Sequence, residues 1–140
     1  MNMRIGNNTD YVEIKDFLSE GLEFGYDDSR SQEFLRGTLA LHTTGVTTDI
    51  RASFEISEMK VLLSDLEKLC ADLKHEFVFK NLDDNVEISI SPTPNGHIDV
   101  RGYLRNRDYN VKLDFSIETD QSFLPGTINQ LKAVLTEATI

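Results

Sequence analysis

The sequence has one cysteine, no tryptophan and only three prolines. The lone thiol, Cys70, excludes an internal disulfide and any Cys-x-x-Cys metal pattern. No uninterrupted apolar run approaches the length of a bilayer span. The start, Met1-Asn2-Met3-Arg4-Ile5-Gly6, lacks the apolar stretch of a secretory signal, so a cytoplasmic setting without membrane contact is expected. Positive charge is scarce as well. Lys plus Arg number 14 against 24 Asp plus Glu, which gives −10. A surface this acidic repels nucleic-acid phosphates, so direct nucleic acid binding is not expected. It attracts basic protein surfaces, and it also serves solubility alone.

What is present is globular. Apolar residues make up 39% and charged residues 27% of 140 residues, which suits one hydrophobic core and one domain over 1–140. No internal repeat stands out. Residues 10–17 alternate as a first strand, with Val12 and Ile14 on one face and Tyr11, Glu13 and Lys15 on the other. Residues 18–32 lose periodicity and read as a long loop. Leu35, Gly37, Leu39 and Leu41 then share one face of a strand over 33–43. After Thr43-Thr44-Gly45, Val46, Thr48, Ile50, Ala52 and Phe54 alternate to about residue 55, which suggests a hairpin.

The period then becomes helical. Ser57 is the expected N-cap, with Glu58 in the first turn. Met59, Leu62, Leu63, Leu66, Leu69, Cys70 and Leu73 form one apolar stripe of a helix over 57–75. Phe77-Val78-Phe79 leads into three further alternating runs. These centre on Val86, Ile88 and Ile90, on Ile98, Val100 and Leu104, and on Val111, Leu113, Phe115 and Ile117, with turns at 92–96 and 106–108. Leu124, Ile128, Leu131 and Leu135 define a last helix beginning near Pro125. The expected class is α+β: an antiparallel meander with one central amphipathic helix and a C-terminal helix packed on it.

The sequence offers little chemistry. His42, His75 and His97 are far apart, and none has a His or Cys at helical ligand spacing, so ordinary histidines are favoured over metal ligands or bases. No phosphate-binding glycine loop or nucleophile elbow occurs. Asp27-Asp28-Ser29-Arg30-Ser31 and Asp83-Asp84-Asn85 lack the Gly and Glu of a calcium loop, and both read as solvated turns. Cys70, on the apolar stripe, is expected to be an inert buried thiol. Asn7-Asn8-Thr9 matches a glycosylation sequon but carries no weight without a secretory signal. No catalytic residue, cofactor or metal is assigned. One segment combines aromatic anchors with charge. Glu20, Glu23, Phe24, Tyr26, Asp27 and Asp28 form a candidate partner-binding loop, although Leu22 and Phe24 are better suited to covering the core edge.

Several phrases carry a family resemblance. They are Phe54-Glu55-Ile56-Ser57 leading into Leu62-x-x-x-Leu66-x-x-Leu69, then Gly96-His97-Ile98-x-Val100, then Leu113-x-Phe115 followed by Thr119-Asp120-Gln121-Ser122-x-Leu124. Over about 33–136 the chain resembles the WapI-like immunity family of bacteria, antidotes paired with contact-dependent polymorphic toxins. The resemblance implies a cytoplasmic, non-enzymatic protein that binds a cognate toxin domain, nucleases being among such toxins, and occludes it without covalent chemistry. Two other readings stay open. One is an adaptor or regulatory domain with an unrelated partner. The other is a small enzyme whose pocket gathers His42, His97 or Tyr103.

Overall fold

The computed structural model describes residues 1–19 and 34–138, without the side chains of Ser19 and Ala138. Eight strands and two long helices follow in order: β1 (Met3–Gly6), β2 (Tyr11–Ser19), β3 (Phe34–His42), β4 (Ile50–Glu55), α1 (Ile56–Asp72), β5 (Phe77–Lys80), β6 (Val86–Pro92), β7 (His97–Arg105), β8 (Lys112–Asp120) and α2 (Leu124–Ala138). A short 3₁₀ turn, Gln121–Phe123, precedes α2. The strands form two antiparallel sheets, β1-β2-β3-β4 and β5-β6-β7-β8. The α+β expectation therefore holds, with the meander divided into two sheets. Among the described residues it also uncovers a duplication that residue identities do not display: four strands and a helix, twice.

Alternation explains why these segments are strands. In β3, Leu35, Leu39 and Leu41 are buried, and in β4 so are Ile50, Ala52 and Phe54, while Arg36, Thr38, Arg51 and Ser53 face outward. Val86, Ile88 and Ile90 of β6 and Ile98, Val100 and Leu104 of β7 do the same for the second sheet. Met59, Leu62, Leu66 and Leu69 of α1 and Leu124, Ile128, Leu131 and Val134 of α2 complete one core cluster. Phe54 is fully buried between Phe17 and Phe79, with ring centroids 6.3 Å and 6.2 Å away, and so ties the first sheet to β5.

The sequence reading needs six corrections. Strand β1 was missed because it has only four residues, although Met3 and Ile5 are buried. Strand β2 runs on to Ser19 past an irregularity between Lys15 and Leu18, where Asp16 takes a φ of 57°. Strand β4 starts at Ile50, because the hydroxyl of Thr48 is used to accept the Leu41 N–H at 2.6 Å. Helix α1 is capped at Glu55 rather than Ser57, with the Glu58 carboxylate reaching back to accept the Glu55 N–H at 2.7 Å. It ends at Asp72, where Leu73 turns left-handed (φ 56°), so Leu73 leaves the stripe and Cys70, at the stripe's rim in the last turn, is exposed. Val111 likewise falls in a turn and is exposed.

Polar side chains seal the seams between the sheets. Thr119 Oγ1 donates to the Gly6 carbonyl and Asn7 Nδ2 to the Glu118 carbonyl, both at 2.9 Å, joining β8 to β1. The outer edge of β1 is closed by α2: Thr127 donates to the Arg4 carbonyl, and Gln130 Oε1 accepts the Arg4 N–H at 3.0 Å.

Candidate functional site

The other seam, between β4 and the second sheet, is built on two buried asparagines flanking the β5–β6 turn. Asn81 and Asn85 are 1% and 3% exposed. Asn81 Oδ1 accepts the N–H groups of Asn85 (2.8 Å) and Val86 (3.2 Å), and its Nδ2 donates to the Ser53 carbonyl and to Asn85 Oδ1, each at 3.2 Å. Asn85 in turn donates to the Arg105 carbonyl (3.2 Å), while its own carbonyl accepts the Arg105 N–H (2.7 Å). One side-chain pair thus fixes β4, the turn and the end of β7 in a single rigid frame.

Asp84, between those asparagines, was expected to be a solvated residue. Instead it accepts from the Tyr103 hydroxyl and from Arg105 Nη1 (2.9 Å), and Lys80 Nζ lies 3.4 Å away. Its φ of 58° aims the carboxylate at that group. The Tyr103 bond, backed by the two cations, holds the Asp84 carboxyl below its ordinary range, and the same bond pushes the Tyr103 hydroxyl up to about 12. Arg105 and Lys112 lie over the Tyr103 ring at 5.3 Å and 4.5 Å. In the β7–β8 turn, Asn106 Oδ1 accepts the N–H groups of Asn110 and Val111, both at 3.1 Å. Tyr109 donates its hydroxyl to the Asp83 carbonyl and so binds one turn to the other.

Between the two turns and the outward face of β3 and β4 lies an open cavity of about 350 Å³, lined by Arg36, Arg51, Ser53, Asp83, Asn85, Arg107 and Tyr109. Register places Arg36 opposite Ser53, so Arg36 and Arg51 are diagonal neighbours on one face. Together with Lys80, Arg105 and Lys112 of the adjoining network, this end gathers six of the chain's 14 Lys and Arg residues. Cations of a protein of charge −10 are thus concentrated here, beside the carboxylates of Asp83 and Asp84.

Glu20, Glu23, Phe24, Tyr26, Asp27 and Asp28 lie outside the described residues. His42 stacks on Tyr11 with ring centroids 4.7 Å apart, its Nδ1 3.0 Å from the Thr9 carbonyl oxygen. His97 lines a different cavity with Asn7, Glu118 and Asp120, and Tyr103 is engaged with Asp84. The three do not share a pocket. His75 Nε2 sits 2.8 Å from Asp65 Oδ1. Among the described residues no three His, Cys, Asp or Glu are grouped to hold a metal ion, and no helix is long and apolar enough to cross a membrane. The arginine cleft went unread because positions 36, 51 and 107 are remote in sequence. The available signal was that Arg36 and Arg51 both occupy outward positions of consecutive strands.

Residues 4–138 match the family model described as the Immunity protein WapI-like family, and the chain belongs to that family. It is thereby an immunity protein, a class whose partners are toxins. No curated protein sequence matches it. Solved structures share the fold. They include the plant transcriptional regulator PBF-2 (TM-score 0.55, 12% identity, covering 99% of this chain and 90% of that one). WHY1 from Arabidopsis thaliana gives 0.53, 16%, 96% and 88% on the same measures, and Trypanosoma bruciei MRP1/MRP2 gives 0.53, 9%, 99% and 84%. At such identities the likeness concerns architecture alone.

Proposed function

We propose that this immunity protein neutralises its cognate secreted toxin domain by non-covalent occlusion in the cytoplasm, that the toxin attacks nucleic acid, and that the inhibitor works without catalysis or cofactor. The observation that carries this reading is the family match across 4–138. The net charge of −10 supports a basic target surface, as a nucleic-acid-cutting enzyme presents. In this reading Glu20, Glu23, Asp27 and Asp28 speed encounter, while Phe24 and Tyr26 supply the apolar anchors. The deciding experiment is co-expression with the C-terminal domain encoded by the gene directly upstream, tested as the toxin. Growth is rescued and a complex purifies if the reading is right; persistent toxicity without a complex rejects it. Charge reversal at Asp27 and Asp28 should slow association and flatten its salt dependence. Indifference to both would remove the electrostatic part.

A further inference from the structure

We propose that the cleft of Arg36, Arg51, Arg107 and Tyr109 is a receptor for a carboxylate side chain, an aspartate or glutamate projecting from the bound protein partner. This rests on the reading of the chain as a toxin-binding inhibitor and adds a second point of contact of opposite sign to the acidic loop.

Four observations lead here. Three guanidinium groups line one cavity, and among the described residues the lining holds one carboxylate, Asp83; Arg36 already has a partner, which leaves Arg51 and Arg107 to receive a ligand. Guanidinium groups brought together repel one another, and an anion seated among them turns that repulsion into attraction. Arg51 and Arg107 form no ion pair with any described residue, whereas Arg4, Arg101 and Arg105 each do. The forked guanidinium matches a carboxylate with two parallel hydrogen bonds. The walls are also preorganised. Asn81 and Asn85 lock the β4 side to the β5–β6 turn, and the Tyr109 hydroxyl holds the β7–β8 turn against Asp83, so binding orders little that is not already ordered.

Size and charge select the ligand. A cavity of about 350 Å³ accommodates a side chain or two rather than a length of polynucleotide. A polynucleotide would also bring many phosphates against a chain of charge −10, whereas one aspartate or glutamate brings a single charge to Arg51 and Arg107.

The test has two arms. In the first, isotope-labelled protein is titrated with a short peptide containing one glutamate, with its glutamine counterpart, and with a single-stranded oligonucleotide. The glutamate peptide is expected to move the Nε–Hε resonances of Arg51 and Arg107, and the glutamine peptide is not. An R51Q/R107Q double variant, whose thermal melt should match the parent because both side chains lie at the surface, loses the response. No shift with the glutamate peptide, or tighter binding of the oligonucleotide, overturns the proposal. In the second arm, R51E and R107E are each expected to weaken binding of the toxin domain by about tenfold or more, and R101E, outside the cleft, by less than about twofold. If the parent binds the toxin domain and both cleft variants bind equally well, the cleft proposal fails and the immunity reading stands. If the parent does not bind it, the immunity reading fails and the peptide arm alone decides the cleft.

Discussion

Replacing Asn81 by alanine removes one amide and leaves two buried N–H groups, those of Asn85 and Val86, without their shared acceptor. It also deprives the Ser53 carbonyl and Asn85 Oδ1 of a donor. At 1% exposure no water reaches the position to substitute. Each orphaned buried donor costs about 1–3 kcal/mol, so Asn81→Ala should lose about 3–5 kcal/mol. Urea unfolding followed by far-ultraviolet circular dichroism measures it. With a slope of about 2 kcal/mol per M, the midpoint should fall by about 2 M. Asn106→Ala is the matched control. Asn106 also accepts two turn N–H groups and donates to a neighbouring asparagine, Asn110 (2.6 Å), but at the surface. Water replaces those bonds, and the loss should stay near or below about 1 kcal/mol. The two substitutions delete the same atoms and differ in burial. Equal losses would refute the claim that desolvation, rather than bond number, makes the Asn81 frame rigid.

Three further outcomes are expected. A Cβ on Gly102 would lie 1.8 Å from the Glu87 carbonyl oxygen, a backbone atom that cannot rotate away, so Gly102→Ala should cost at least about 3 kcal/mol in the same urea experiment, and a near-neutral result would contradict the observed β6–β7 spacing. The Tyr103 hydroxyl is raised to about 12; ultraviolet difference titration should show that step displaced toward 10 in Asp84→Asn and missing in Tyr103→Phe. Because the raised group holds its proton longer when folded, its contribution to stability is complete below about 10 and disappears as pH climbs toward 12. Burial raises the Glu58 carboxyl, so the folded state gains stability on protonating it; stability should decline as pH rises through the interval between the ordinary and the raised value, and Glu58→Gln should flatten that decline in pH-dependent urea midpoints.

Legibility followed burial pattern. Strands β3, β6 and β7 bury one face and leave the other wet, so Leu35–Leu41, Val86–Ile90 and Ile98–Leu104 announce themselves by alternation. Strand β1 is too short for a period to show, and its identity comes from register with Tyr11–Ile14, a non-local fact. The cap at Glu55 was hidden because a glutamate is an unusual N-cap residue, and Ser57 two positions on was the better local candidate. Asp83-Asp84-Asn85 looked like surface because its residue types usually are. That Asn85 is buried and Asp84 is netted by Tyr103 and Arg105 depends on strands twenty residues away. The two candidate sites divide on the same line. The acidic segment 20–28 is a reading of composition alone, and the arginine cleft exists only once strands pair.

The hold of α2 on β1 has a consequence for biosynthesis. Arg4 emerges from the ribosome long before Gln130 and Thr127, the residues that occupy its outward N–H and carbonyl. For most of translation, the first strand therefore exposes an edge that any neighbouring nascent chain can pair with. A ribosome stalled before residue 124 would release a product with that edge permanently open. The same amphipathic helix that completes the core thus acts in time as a latch, and the interval before it closes is when this protein is most exposed to self-association.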